Sequence, residues 1–167
     1  MKYIKIDSED MSNGPGLRVV LWVSGCIHRC KGCHNSSTWD YSKGEIYRKS
    51  TISYIRSLLD KDYIDGITYS GGDPMFVYNR GKIRNTILKI KKHLPNKTQW
   101  LYTGYTFEEL VSYDIPVITE ILENIDVLVD GKFDINLKDS SLLYRGSSNQ
   151  RIINVQKSLK ENKIVLW

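Results

Sequence analysis

All three cysteines of the chain, Cys26, Cys30 and Cys33, fall within one short segment. Their spacing is C-x3-C-x2-C, and thiolate sulfur is a soft ligand that binds zinc, copper(I) or iron–sulfur clusters. An odd, clustered set of cysteines is a poor disulfide framework and is typical of metal binding in a reducing compartment. The segment is therefore predicted to hold a metal ion or a cluster.

The number of available ligands separates the candidates. A structural zinc site is closed by four ligands, so zinc would need His28 or His34 to complete a Cys3His site. A four-iron cluster held by three cysteines leaves one iron free to bind a substrate. The cysteines alone also leave open an electron-transfer or redox-sensing cluster, and a chance grouping in a buried loop.

The elements around this segment alternate between strand-like and helix-like periods, which predicts β/α units and a mostly parallel sheet. A capping box at Thr106 and Glu109 predicts the start of one helix, and Ser50 is expected to cap another. Residues 133–150 read as a loop, and 151–167 as strand, short helix, strand. The remaining predictions are strands over 17–23, 66–70, 99–102 and 126–130, and helices over 50–61, 82–94 and 116–123.

Each of these strands is followed at once by unusual residues. The cysteine loop follows the first strand, and Gly71-Gly72-Asp73-Pro74 the second. Thr103-Gly104 and Gly131 follow the next two. Chemistry in β/α folds gathers at the carboxyl ends of the strands, so the four loops are predicted to share one rim.

Length, charge and hydrophobic pattern together argue against several classes of protein. The 167 residues fit one domain, 1–167, and are too few for a complete eight-fold barrel, which needs about 250. The net charge of +5 comes from scattered basic residues, which argues against nucleic-acid binding. There is no apolar run of roughly 18 residues and no signal-peptide core, so we expect no membrane span and a cytoplasmic protein.

The cysteine spacing just after the first strand resembles that of the radical S-adenosylmethionine enzymes. The resemblance implies that Cys26, Cys30 and Cys33 hold a [4Fe-4S] cluster whose open iron binds S-adenosylmethionine. It also implies that Gly72 contacts the methionine amino group through its backbone, and that Gly32, Cys33 and His34 line the adenine side. The superfamily usually has an aromatic residue before the third cysteine, and Gly32 departs from that pattern.

The order of the motifs along the chain is similar to that of one subfamily, the activating proteins of anaerobic ribonucleoside-triphosphate reductases. These motifs are residues 13–16, the cysteine loop, 70–74, 102–105, 129–133 and 145–150. The resemblance implies an enzyme that installs a radical on a glycine of the reductase large subunit, with electrons from flavodoxin or a similar donor. It assigns no catalytic acid or base. An activase of another glycyl-radical enzyme, such as pyruvate formate-lyase, and a Cys3His zinc-binding interaction module are the alternatives.

The expected fold is α/β, a truncated, open (β/α) partial barrel of about five to six units. A barrel of that size cannot close, and its open side would admit a loop of a protein substrate.

Overall fold

The computed structural model describes residues 1–167 as an α/β fold with one seven-stranded mixed sheet. The strands are β1 (Lys2–Asp10), β2 (Arg18–Val23), β3 (Glu45–Ile46), β4 (Gly66–Gly71), β5 (Thr98–Tyr102), β6 (Val127–Asp130) and β7 (Arg151–Asn154). The helices are α1 (Lys49–Leu59), α2 (Arg80–His93), α3 (Phe107–Ser112), α4 (Pro116–Asn124) and α5 (Val155–Glu161). None of them is long and apolar enough to span a membrane.

The strand order is β3-β1-β2-β4-β5-β6-β7. The four central strands β2, β4, β5 and β6 run parallel to one another, whereas β1, β3 and β7 pair antiparallel with their neighbours. All four parallel strands were predicted. Burial on both faces favours continuous hydrophobic segments, and β2 and β6 show them, whereas β4 and β5 also contain polar residues.

The N-terminal strand β1 was not predicted. Its sequence, KYIKIDSED, carries few apolar residues, and no residue in it is fully buried. Its place in the sheet comes from antiparallel pairing with β2, and Trp22 of β2 donates from its indole nitrogen to Asp7 (2.7 Å). A half-exposed strand of this kind gives little hydrophobic signal in a sequence.

The predicted helices 50–61, 82–94 and 116–123 agree with α1, α2 and α4 to within two residues at each end. Thr106 caps α3 as the capping box predicted: its hydroxyl accepts a hydrogen bond from the backbone N–H of Glu109, and the Glu109 carboxylate accepts one from the backbone N–H of Thr106. The prediction that Ser50 caps α1 was wrong. Ser50 lies inside that helix, and the first turn is closed by Thr51, whose hydroxyl accepts from the N–H of Arg48 (3.1 Å).

The main core lies between the sheet and the helices. Side chains that alternate along the central strands, including Leu21, Tyr69, Leu101 and Leu128, stand in one row across the sheet and are fully buried. The opposite face carries Trp100, Val127 and Val129, covered by Tyr144 and Ile152. Fixing the strands from both faces holds their carboxyl ends in place.

Candidate functional site

The loops after the four parallel strands meet at one rim, as the sequence predicted from the residues that follow each strand. They surround a cleft of about 450 Å³, a volume within the range of small-molecule sites. Cys26 lines it from the first loop, Gly72 from the second, Thr103 from the third and Gly131 from the fourth. The candidate site is therefore assembled from residues more than a hundred positions apart in the sequence.

The thiols of Cys26, Cys30 and Cys33 all line this cleft, half-buried and free of disulfides. Burial, and then the nearby charge of Asp73, raises the pKa of Cys26 to about 11. Burial also raises the pKa of Cys30. Both thiols are therefore protonated at neutral pH in the free chain, and each must release a proton when it binds a metal.

The donor set fits an iron–sulfur cluster. Three soft thiols share one cleft, and the chain has no fourth cysteine. No three His, Cys, Asp or Glu side chains are arranged to hold a single ion. A cluster does not need that arrangement, because each thiolate binds a different iron and the sulfurs need not converge on one point.

The two histidines that could complete a zinc site have different surroundings. His28 is almost fully buried, and its Nε2 donates to the Asp73 carboxylate (2.7 Å). His34 lines the cleft, with its ring 6.0 Å from that of Phe133. Both histidines line the cleft, and one ring nitrogen of His28 is occupied by Asp73.

Gly32 does not line the cleft, unlike the other residues predicted for the site. It has a left-handed backbone, φ +75°, and a Cβ built on it would lie 2.7 Å from Cδ1 of Ile135. Glycine is favoured where φ is positive and a neighbour is this close. The local backbone therefore explains why an aromatic residue is absent before the third cysteine.

Gly72 brings the second loop against the cysteine loop. Its N–H donates to the carbonyl of Val23 (2.8 Å), and the next N–H, of Asp73, donates to the carbonyl of Gly25 (2.7 Å). A Cβ on Gly72 would lie 2.5 Å from that Gly25 oxygen, so no larger residue fits without a shift. The carbonyl oxygen of Gly72 accepts no hydrogen bond within the chain, and Gly72 lines the same cleft as the three cysteines.

Other cleft residues were not predicted as site residues. Ser12 and Asn13 reach the cleft from the loop before β2, and the segment 138–146 lines it from the far side. The sequence predicts a loop here and leaves residues 145–151 open between a surface loop and a partner-docking or active-site loop. The position of the segment depends on long-range contacts such as the bond from the Tyr102 hydroxyl to the carbonyl of Tyr144 (2.7 Å), which a local pattern does not reveal.

Comparison with known proteins agrees with this geometry. The family described as "4Fe-4S single cluster domain" matches residues 12–153, a range that contains all three cysteines and every loop of the rim. The match indicates a 4Fe-4S cluster.

Several relatives match nearly the whole chain. A protein of Enterobacteria phage T4 is 43% identical over 91% of this chain and 93% of its own length. Proteins of Escherichia coli K12 and Vibrio cholerae are each 42% identical, over 90% and 91% of this chain and 96% and 97% of their own lengths. All three bear the name anaerobic ribonucleoside-triphosphate reductase-activating protein. The chain thus belongs to the family of anaerobic ribonucleoside-triphosphate reductase-activating proteins.

Proposed function

We propose that this chain is a radical S-adenosylmethionine enzyme that generates a glycyl radical on the large subunit of an anaerobic ribonucleoside-triphosphate reductase. The observation that carries the proposal is the meeting of three thiols and Gly72 in one cleft, in a chain of the activating-protein family. A reduced [4Fe-4S] cluster held by the three cysteines would supply the one electron that cleaves S-adenosylmethionine to methionine, and removal of a hydrogen atom from the partner's glycine would yield 5′-deoxyadenosine and the glycyl radical.

In this scheme the residues of the chain bind the cluster and orient S-adenosylmethionine. Cys26, Cys30 and Cys33 hold three irons, and the absence of a fourth cysteine leaves one iron without a thiolate. The carbonyl of Gly72 accepts a hydrogen bond from the methionine amino group. His34 and the backbone of Cys33 border the adenine, whereas Gly32, which does not line the cleft, contributes through the turn that it gives the loop. No residue is needed as a general acid or base, since the transferred particle is a hydrogen atom.

The shape of the fold supports a protein substrate. We propose that the sheet forms an incomplete (β/α) barrel whose open side admits the partner's glycine loop. In support, β3 and β7 stand at opposite ends of the strand order, and the cleft lies beside a long polar segment, 138–146, in place of further β/α units. Flavodoxin or a similar protein is the proposed electron donor, and the cytoplasm, which keeps thiols reduced, is the proposed compartment.

The test is anaerobic reconstitution followed by product analysis. We expect about four irons and four sulfides per chain, and formation of methionine and 5′-deoxyadenosine after reduction with S-adenosylmethionine present. A protein that takes up zinc and assembles no cluster would instead be a Cys3His interaction module. A protein that cleaves S-adenosylmethionine but activates only a different glycyl-radical enzyme would lose the partner assignment alone.

A further inference from the structure

Asp73, the acidic residue after the glycine pair, is 1% exposed and does not line the cleft. It accepts hydrogen bonds from His28 Nε2 (2.7 Å), the Thr103 hydroxyl (3.0 Å), and the backbone N–H groups of Met75 (2.8 Å) and Gly104 (3.3 Å). A carboxylate offers about four lone-pair sites. Donors within the protein therefore occupy the acceptor sites of the Asp73 carboxylate, and none is left for a ligand.

The four donors come from different parts of the site. Met75 belongs to the same loop as Asp73, Thr103 and Gly104 to the loop after β5, and His28 to the cysteine loop, between Cys26 and Cys30. One buried carboxylate thus joins three of the four loops that form the rim. Charge-assisted hydrogen bonds in a buried setting are among the stronger polar interactions in proteins.

The His28 side chain is closely packed as well as hydrogen-bonded. Its side chain is 6% exposed, and its ring lies edge-on to Tyr105, with centroids 4.6 Å apart. A Cβ built on Gly104 would lie 2.4 Å from Cδ2 of the imidazole. The loop after β5 therefore needs a glycine at 104 for the His28 ring to occupy this place.

We propose that His28 and Asp73 are positioning residues that hold the cysteine loop against the glycine-pair loop and so set the affinity for S-adenosylmethionine. The inference rests on the proposed function, because it requires that the thiol side and the Gly72 side bind one molecule between them. The imidazole–carboxylate bond fixes the distance between those two sides. Asp73 does not line the cleft, and His28, which does, has its Nε2 committed to Asp73.

The first test uses cluster-free protein, so it does not depend on any activity. His28→Phe keeps an aromatic ring but removes the donor, whereas His28→Gln keeps an N–H donor. Amide hydrogen exchange of residues 26–34 should be about tenfold faster in His28→Phe than in the wild type, the scale of losing one buried charged hydrogen bond. His28→Gln should be intermediate, and unchanged exchange in His28→Phe would overturn the proposal.

The second test uses reconstituted protein. His28→Phe and Asp73→Asn should still assemble a cluster, because the three thiols remain, but should bind S-adenosylmethionine about tenfold or more weakly. The change that S-adenosylmethionine causes in the reduced-cluster electron paramagnetic resonance spectrum should appear only at higher concentration, with partial rescue in His28→Gln. Unchanged affinity in His28→Phe would show a purely structural contact and overturn the proposal.

A third variant approaches His28 from a different loop. Gly104→Ala places a methyl group where the imidazole stands, and it should reproduce the weaker S-adenosylmethionine binding of His28→Phe. Gly81→Ala, whose Cβ meets nothing within 4 Å, is the matched control and should bind like the wild type. If the wild type itself binds no S-adenosylmethionine, the proposed function fails. If the wild type binds it and His28→Phe, Asp73→Asn and Gly104→Ala bind it equally well, this inference fails alone.

Discussion

At the scale of single residues, the cysteine loop combines three ligands with a backbone that few sequences can adopt. Arg29 and Gly32 both have positive φ, 45° and 75°, within the eight residues from Cys26 to Cys33. Such conformations cost free energy for most residues and are retained where the surroundings fix them. Here they turn the chain so that all three thiols face the same cleft.

Replacement of one ligand should remove the cluster. Cys30→Ala should abolish the iron and sulfide content and the cleavage of S-adenosylmethionine, because two thiolates do not hold a four-iron cluster. Metal analysis and product chromatography measure both effects. Ser37→Ala, an exposed change in the neighbouring segment, is the control and should retain both properties. Cleavage retained in Cys30→Ala would contradict the ligand assignment.

Gly32 offers a test of the backbone. Gly32→Ala should lower the stability of the protein by about 1 kcal/mol or more, the cost of a non-glycine residue at positive φ. The new Cβ also meets Ile135, so Ile135→Ala should restore part of the loss and leave the backbone cost. Chemical denaturation of cluster-free protein measures the free energy of unfolding. Gly32→Ala as stable as the wild type would contradict this account.

At the scale of elements, Arg18 ties three strands together at their amino ends. The side chain is fully buried, and its guanidinium donates to the Thr68 and Thr98 hydroxyls (2.8 and 2.9 Å) and to the Ile67 carbonyl (2.8 Å). It also lies 5.5 Å from the centre of the Trp100 ring. Burial lowers the pKa of Arg18 to about 10, yet the group stays charged at neutral pH.

Removal of this guanidinium should be costly. Arg18→Met leaves several buried acceptors without a donor and should lower the free energy of unfolding by about 3 kcal/mol. Arg56 is a matched control, because its Nε has no hydrogen-bond partner. Arg56→Met should change the stability by less than about 0.5 kcal/mol. Urea denaturation at neutral pH compares the two, and equal effects would refute the role given to Arg18.

Ion pairs of Arg151 join α3 to the edge of the sheet and make the stability of the fold depend on pH. Arg151 donates to both carboxylate oxygens of Glu108 (2.9 and 2.6 Å) and also pairs with buried Asp130. The bond from Arg151 lowers the pKa of Glu108 from 4.5 to about 2. A lowered carboxyl pKa stabilises the fold above pH 4.5, and this stabilisation is lost as the pH falls towards 2.

Glu108→Gln should therefore be less stable than the wild type at pH 7, by less than about 1 kcal/mol because Glu108 is largely exposed. The difference should shrink between pH 4.5 and 2, where the wild-type carboxyl becomes protonated. Thermal unfolding across this range measures it. A difference that grows on acidification would contradict the assignment.

The elements also show how far the sequence alone could lead. The parallel strands, the capping box at Thr106 and the placement of four loops on one rim followed from local patterns. The pairing of β1 did not, because that strand lacks an apolar run. The bond between His28 and Asp73 was not predictable either, since it joins residues 45 positions apart whose types are common in loops.

At the scale of the whole molecule, the cleft has two unlike walls. One wall consists of the loops after the parallel strands, fixed by the core behind them. The other is the segment 138–146, held by Tyr144 against Trp100 (ring centroids 5.7 Å apart) and by the bond from Tyr102. One wall backed by the core and one made by a loop segment suit the proposed site, which would hold a small cofactor and admit part of a second protein.

The most direct test of the account is an electron paramagnetic resonance spectrum of the reduced, reconstituted protein mixed with S-adenosylmethionine and the large subunit of the anaerobic reductase. The account predicts a stable glycyl-radical doublet on the large subunit, absent when S-adenosylmethionine is omitted and absent with Cys30→Ala. A reduced-cluster signal that responds to S-adenosylmethionine but leaves the large subunit without a radical would contradict the central claim.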